Sequence, residues 1–144
     1  EVSMYPADDE NIPSRLENLI DGDFNTNWNP MYTTSYLIYE LTLDLKEGKK
    51  INGLRFVQAN YNDNEDAISM APEMIKIYVS NDRVSWKIAT YLEESIIGKT
   101  KGEINDIDFT NEIKNNSYQY VQVRINAGPF GKYFGSRVAE INLY

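Results

Sequence analysis

The chain has 144 residues, of which 42% are hydrophobic and 25% charged, a composition and length typical of one soluble globular domain, residues 1–144, with one core. Its formal net charge of -8 repels phosphate backbones and anionic lipid surfaces, so nucleic acid is not an expected partner. The sequence contains neither Cys nor His, which removes disulfides, Cys-His and Ser-His nucleophile systems and the usual zinc ligands. Its apolar runs are too short for a membrane span. Catalysis is therefore not favoured.

In chain order, the sequence predicts one helical turn and then many short strands. Residues 13–20 are the first candidate for a helical turn, and 93–97 are a second. The clearest strand is 36–45, where Leu37, Tyr39 and Leu41 alternate with polar or aromatic neighbours. A turn is predicted at 46–48 and a tighter one at 81–82. Further strands are predicted at 51–57, 74–80, 86–91, 104–109, 118–126 and 137–144. This pattern is typical of an all-β sandwich or jelly roll.

Three predicted loops are longer than ordinary turns: residues 29–35, 60–72 and 127–136. Long loops in a compact β domain commonly carry function. Aromatic rings cover the apolar face of a sugar, and amides satisfy its hydroxyl groups. The alternative is that the aromatic side chains cap the ends of the core. The candidate carbohydrate-binding residues on these loops are Asn29, Tyr32, Asn60, Tyr61, Asn62, Tyr133 and Phe134.

The segment 18–28, NLIDGDFNTNW, concentrates oxygen-bearing side chains around a glycine. Such density suits a hard cation, but the pattern is not an EF-hand, because Thr26 replaces the glycine and Tyr32 replaces the final Glu of that loop. The alternative is an Asx-rich turn whose charges are solvated.

Five blocks of the sequence together resemble the F5/8 type C, or discoidin-like, domain over nearly the whole chain. The blocks are LIDGDFNTNW, YLIYELTLDL, IKIYVSNDRVSW, YVQVRINA and RVAEINLY. The bacterial branch of this family is grouped with the family 32 carbohydrate-binding modules. The resemblance implies an eight-stranded β-sandwich of jelly-roll topology, with ligand-binding loops gathered at one end.

The resemblance also implies a structural calcium ion. The residues that match the family's usual ligand positions contribute carboxylate, hydroxyl and backbone carbonyl oxygens, a donor set that suits calcium better than a transition metal. They are Asn18, Asp21, Asp23, Thr26, Ala139 and Glu140. Such an ion would tie the N-terminal loop to the last strand.

The family pattern places Trp28 and Trp86 inside sandwich blocks, so both are expected in the core rather than at a sugar platform. Where the family often has a turn glycine, this chain has Arg83. Galactose-binding members often hold the sugar with a His and Arg residues. This chain has no His, so its sugar need not be galactose.

The leading hypothesis is a non-catalytic carbohydrate-binding module within a larger secreted or cell-surface protein, such as a glycoside hydrolase. The alternatives are a protein- or lipid-binding discoidin-type module and a spacer without a ligand. The negative charge counts against binding to anionic lipid. A glycosidase would need two carboxylates across a cleft, and the sequence identifies no such pair.

Overall fold

A computed structural model of the protein describes residues 1–5, 15–30, 34–35, 37–60, 71–130 and 133–144. A short 3-10 helix spans Leu16–Ile20, and a single-turn helix, α1, spans Asn111–Lys114. The longer strands are β1 (Val2–Tyr5), β2 (Ile38–Lys49), β3 (Gly53–Gln58), β4 (Met74–Ser80), β7 (Ile104–Asp108), β8 (Tyr118–Asn126) and β11 (Val138–Leu143). The shorter strands are β5 (Lys87–Ile88), β6 (Ser95–Ile96), β9 (Gly128–Phe130) and β10 (Tyr133–Gly135).

Two antiparallel sheets form the predicted sandwich. The first has the order β1-β2-β8-β4-β5, with β6 also pairing with β4, and the second has the order β11-β3-β7. Among the described residues, the two sheets therefore contain nine strands, one more than the expected eight, because two short strands, β5 and β6, pair with opposite ends of one edge of β4. Strands β9 and β10 form a separate hairpin.

The core lies between the sheets and follows the alternation of the sequence. In β2, Tyr39, Leu41 and Leu43 are buried, as the period-2 pattern predicts. Trp28 is also fully buried and meets the Tyr39 ring edge to face at a centroid distance of 5.2 Å. The core prediction is therefore confirmed for Trp28. Trp86 is only half-buried and is not among the core residues, so the same prediction is wrong for Trp86.

Several predicted boundaries differ from the structure. The turn predicted at 46–48 lies inside β2, where Lys46 has a φ of 69° and the pairing register with β8 shifts between Asp44 and Lys49. A β-bulge has thus taken the place of a chain reversal. The helical turn considered at 93–97 is wrong, because Ser95–Ile96 form strand β6. The strand predicted at 86–91 is reduced to two residues.

The predicted helical turn near 13–20 is confirmed as the 3-10 helix over its described part. No helix within the described ranges is both long and apolar enough to cross a membrane.

Candidate ligand face and cation site

The three predicted loops leave the same end of the sandwich. In the first sheet, the start of β2 at Ile38 lies opposite the end of β8 at Asn126. In the second sheet, the end of β3 at Gln58 lies opposite the start of β11 at Val138. The two sheet ends coincide, because Trp28, before β2, bridges to Val138 at the start of β11, and Gln58, at the end of β3, bonds to Pro72 just before β4, whose start pairs beside the end of β8. We call this end of the sandwich the loop end.

Hydrogen bonds join the first and third of these loops. The backbone N–H of Ala127 donates to the Leu37 carbonyl at 2.9 Å. The Asn29 amide, oriented to satisfy both of its ends, donates to the Ser136 carbonyl at 3.1 Å and accepts from Arg137 Nε at 3.2 Å. These contacts hold residues near 29 and 136 in a fixed relation at the loop end.

The buried side chain of Gln58 anchors the second loop. Its Nε2 donates to the Pro72 carbonyl at 2.7 Å and to the Gly98 carbonyl at 2.8 Å. Gln58 thereby joins the end of the 59–73 connection to residues 97–103, a fourth connection at the loop end. Sequence analysis did not predict this fourth loop as part of the site. The glycines at 98 and 102, which flank a Lys-Thr-Lys tip, were the available signal.

The candidate sugar-binding residues fall into three groups. Asn60 is exposed at the loop end, and Asn29 is half-buried with its amide engaged between loops. Tyr133 and Phe134 belong to the β9-β10 hairpin, where their backbones pair with Phe130 and Pro129. The remaining three candidates lie outside the described residues: Tyr32, Tyr61 and Asn62.

A cluster of oxygen atoms forms around the Asp21-Gly22 turn. The Thr26 hydroxyl lies 2.8 Å from Asp21 Oδ2 and 2.9 Å from the Asp23 carbonyl oxygen. The Asp23 N–H donates to Asp21 Oδ1 at 2.8 Å. This bond and the Thr26 hydroxyl lower the pKa of Asp21. Gly22 has a φ of 80°, a conformation that glycine adopts without the strain a side chain would bring.

Glu140 approaches this cluster from β11 and is fully buried. Its Oε2 accepts a bond from the Gly22 N–H at 3.2 Å, whereas its Oε1 is buried without a hydrogen-bond partner. Burial raises the pKa of Glu140 to about 7, and the negative charge of Asp21 adds to the rise, although the bond from Gly22 opposes it. A buried carboxylate beside a second carboxylate is costly unless a cation or a proton neutralises it.

The oxygen cluster fits a hard cation. Hydrogen bonds of the Thr26 hydroxyl to Asp21 Oδ2 and to the Asp23 carbonyl oxygen bring together carboxylate, hydroxyl and carbonyl oxygens, the donor types that a hard cation takes. Ala139 is the extra residue in the register shift between Val138 and Glu140, so its backbone leaves the regular ladder. Asn18 lies nearby, where its side-chain amide donates to the Asn27 carbonyl at 2.9 Å.

The cluster is not a site built mainly from carboxylates. Among the residues that the structure describes, no group of three or more His, Cys, Asp or Glu is arranged to hold a metal ion. Beyond Asp21 and Glu140, a bound ion would therefore depend on hydroxyl and carbonyl oxygens. Oxygen donors of this kind suit calcium rather than a transition metal.

A cavity of about 220 Å³ lies between β2 and β11, away from the loop end. Its walls are mostly apolar and include Leu43, Leu45, Ile141 and Leu143. Leu43 is five residues from the start of β2, a distance of about 17 Å along a strand. The cavity is therefore separate from the predicted ligand face, and its apolar walls do not suit a sugar.

Comparisons with known proteins agree with this architecture. The solved structures that resemble the chain include the domain CpGH89CBM32-5 from Clostridium perfringens in complex with GalNAc-beta-1,3-galactose, with a TM-score of 0.72, 17% identity, and coverage of 100% of this chain and 94% of that chain. Another is the CBM32 of AlyQ in complex with 4,5-unsaturated mannuronic acid, with a TM-score of 0.69, 18% identity, and coverage of 100% and 93%.

A third is chitosan-binding module 1 from a chitosanase/glucanase of Paenibacillus sp. IK-5, with a TM-score of 0.68, 19% identity, and coverage of 100% and 93%. At these identities, the likeness shows the fold. A search of the curated proteins found no match. The family model for the F5/8 type C domain matches residues 5–138. Since this match covers nearly the whole described sandwich and both of its sheets, the chain belongs to the F5/8 type C domain family.

Proposed function

We propose that this domain binds glycans at the loop end and does not catalyse a reaction. The observation that supports the proposal is that the strand ends which flank the aromatic- and amide-rich loops lie together at the loop end: Ile38, Asn126, Gln58 and Val138. A rigid sandwich that supports polar and aromatic loops is suited to a ligand with many hydroxyl groups. Membership of the family, and the sugar complexes of structurally similar modules, support the same function.

The positions of the acidic side chains support a non-catalytic role. Asp21 and Glu140 are facing carboxylates, but Glu140 is fully buried and bonded to Gly22. A glycosidase needs one carboxyl on each side of a bound glycosidic bond. Because Glu140 is buried, it cannot reach a substrate of that size, and we assign the pair a structural role.

We further propose that calcium is the structural ion of the Asp21–Glu140 cluster. The ion would supply positive charge to two facing carboxylates, and the proposed ligands are the carboxylates of Asp21 and Glu140, the Thr26 hydroxyl, and the carbonyls of Asn18, Asp23 and Ala139. The unpartnered Glu140 Oε1 supports this assignment. The bound ion would tie the turn at Gly22 to the last strand of the second sheet.

The proposed setting is a larger secreted or cell-surface protein, in which the domain holds its partner domains against a glycan. A single shallow site binds a sugar weakly, because each hydrogen bond gained replaces one to water. Attachment to a catalytic domain or to further binding modules raises the effective affinity.

Retention on an array of plant, animal and microbial glycans tests the binding function. The double variant Tyr133→Ala, Phe134→Ala should lose retention, whereas Tyr144→Ala should keep it, because Tyr144 pairs with Gly53 at the opposite end of the sandwich. Absence of retention by the unmodified protein across the array would reject glycan binding. Sedimentation with vesicles of phosphatidylserine and phosphatidylcholine, if observed in its place, would support the lipid-binding alternative.

A further inference from the structure

The fourth connection at the loop end, residues 97–103, is bonded to both ends of the 59–73 connection. At one end, the Gly102 N–H donates to the Ala59 carbonyl at 3.2 Å. At the other, the Ile97 N–H donates to the Glu73 carbonyl at 2.9 Å. The fourth loop is therefore fixed beside the predicted ligand face.

Internal contacts give this loop one defined shape. The Glu103 carboxylate accepts from the Thr100 N–H at 2.9 Å, and the Gly98 N–H donates to Asn105 Oδ1 at 2.9 Å. A Cβ atom at Gly98 would lie 2.0 Å from the Glu103 carboxylate, so a larger residue there would displace this carboxylate from its contact with Thr100. A loop ordered before binding loses less conformational entropy when a ligand binds.

Lys99 on this loop and Glu73, just before β4, present a hydrogen-bond donor and an acceptor side by side. Lys99 forms an ion pair with Glu73, and the two side chains remain 36% and 69% exposed. The neighbouring Thr100 is exposed and adds a hydroxyl group. An ammonium group offers only donors, and a carboxylate offers only acceptors. Adjacent groups of these two kinds match the two neighbouring hydroxyls of a sugar ring.

We propose that the Lys99–Glu73 pair forms a second saccharide subsite, which contacts adjacent hydroxyls on a neutral sugar unit next to the terminal unit of a glycan. This inference rests on the proposed glycan-binding function and extends it from one sugar unit to two. The charges of Lys99 and Glu73 offset each other, so the pair favours a neutral unit over an anionic one.

The test uses an array in which each terminal monosaccharide appears alone and within neutral and uronate-containing di- and trisaccharides. The variants are Lys99→Met and Glu73→Gln, which keep the length of each side chain and remove its charge. The matched control is Lys50→Met, because Lys50 is exposed just after the end of β2, opposite the loop end.

The unmodified protein should bind extended neutral glycans more tightly than the terminal monosaccharide. Each variant at the ion pair should reduce that gain by about tenfold, the factor expected for one charge-assisted hydrogen bond. Binding of the monosaccharide and the melting temperature should not change. Lys50→Met should match the unmodified protein in every measurement.

Three results would overturn the subsite while leaving glycan binding intact. One is unchanged binding of extended glycans by both variants, and another is equal weakening of monosaccharide and extended glycans, which would indicate a role in loop position alone. The third is a loss of binding that affects only uronate-containing glycans and occurs only in Lys99→Met, which would indicate an anion site. If the unmodified protein binds no glycan, the proposed function fails, and the subsite fails with it.

Discussion

Replacement of Glu140 by Gln should separate the cost of its buried charge from the stabilisation by a bound ion. Glu140 is fully buried with one unpartnered oxygen, and its pKa is raised to about 7. In a calcium-free solution at pH 8, the folded protein must therefore hold an ionised carboxyl that is destabilised relative to the unfolded chain. Glu140→Gln should raise the melting temperature of the calcium-free protein and remove its response to calcium.

The magnitude follows from the pKa. A carboxyl group whose pKa rises from 4.5 to about 7 lowers the free energy of unfolding by about 3 kcal/mol once it is ionised in both states. Because the folded state holds the proton more tightly, this cost is small below pH 4.5 and grows as the pH rises through 7. A domain of this length unfolds with an entropy of about 0.3 kcal/mol/K, so the cost corresponds to about 10 °C.

Calcium should offset this loss in the unmodified protein. At a free concentration of one hundred times its dissociation constant, an ion that binds only the folded state adds about 2.7 kcal/mol, or about 9 °C in melting temperature. Calorimetry with chelator and with excess calcium, at pH 5 and pH 8, measures both effects. Asp21→Asn should also remove the calcium response.

The matched control is Glu112→Gln, because Glu112 is an exposed carboxylate paired with Lys87 and such pairs contribute little to stability. This control should retain the full calcium response. An equal calcium response in the unmodified protein and in Glu140→Gln would refute the reasoning. A lower melting temperature of Glu140→Gln in chelator at pH 8 would show that the buried charge is not costly.

Three further predictions concern stability and loop position. Asp82 accepts bonds from two backbone N–H groups, and its pKa is lowered to about 2. The ionised carboxyl therefore stabilises the folded state fully above about pH 4, and this stabilisation disappears towards pH 2. The difference in melting temperature between the unmodified protein and Asp82→Asn should shrink as the pH falls over that range. Trp28→Ala should lower the free energy of unfolding by about 3 to 5 kcal/mol in urea denaturation, and Trp86→Ala should lower it by less, because Trp86 is half-buried; equal losses would contradict the burial assignment. Gln58→Leu removes the donor to two loop carbonyls and should cost about 1 to 3 kcal/mol and weaken glycan retention, whereas the control Gln122→Leu, on a buried residue in the middle of β8, should leave retention unchanged.

The sequence predicted the strands whose burial alternates regularly. Strands β4 and β8 have the predicted bounds, because both pair on two sides and their apolar positions repeat with period 2. The short edge strands were harder to predict. Strand β1 contains only Val2–Tyr5, and its strand conformation depends on pairing with β2, nearly forty residues away, which a local pattern does not record.

The fourth loop was missed for a related reason. Residues 97–103 carry turn signals but few aromatic or amide side chains, so composition did not mark them as a ligand loop. Their place beside the ligand face follows from the contacts of Gln58 and Ala59 in β3 and the connection after it. Such long-range contacts depend on how strands are ordered in the second sheet.

Family resemblance predicted Glu140 as a cation ligand, but the alternation of apolar residues alone does not predict which face of β11 carries the Glu140 side chain. Val138 and Ile141 both belong to the core, although residues three apart in a regular strand point to opposite faces. The register shift between Val138 and Glu140 resolves this conflict, because the bulge lets both apolar side chains face the core. Glu140 then points to the opposite face of the sheet, where it is still buried. There it meets the Gly22 N–H. The same extra residue therefore completes the core and brings the last strand to the acidic turn, which explains why the proposed ion would stabilise the whole sandwich rather than one loop.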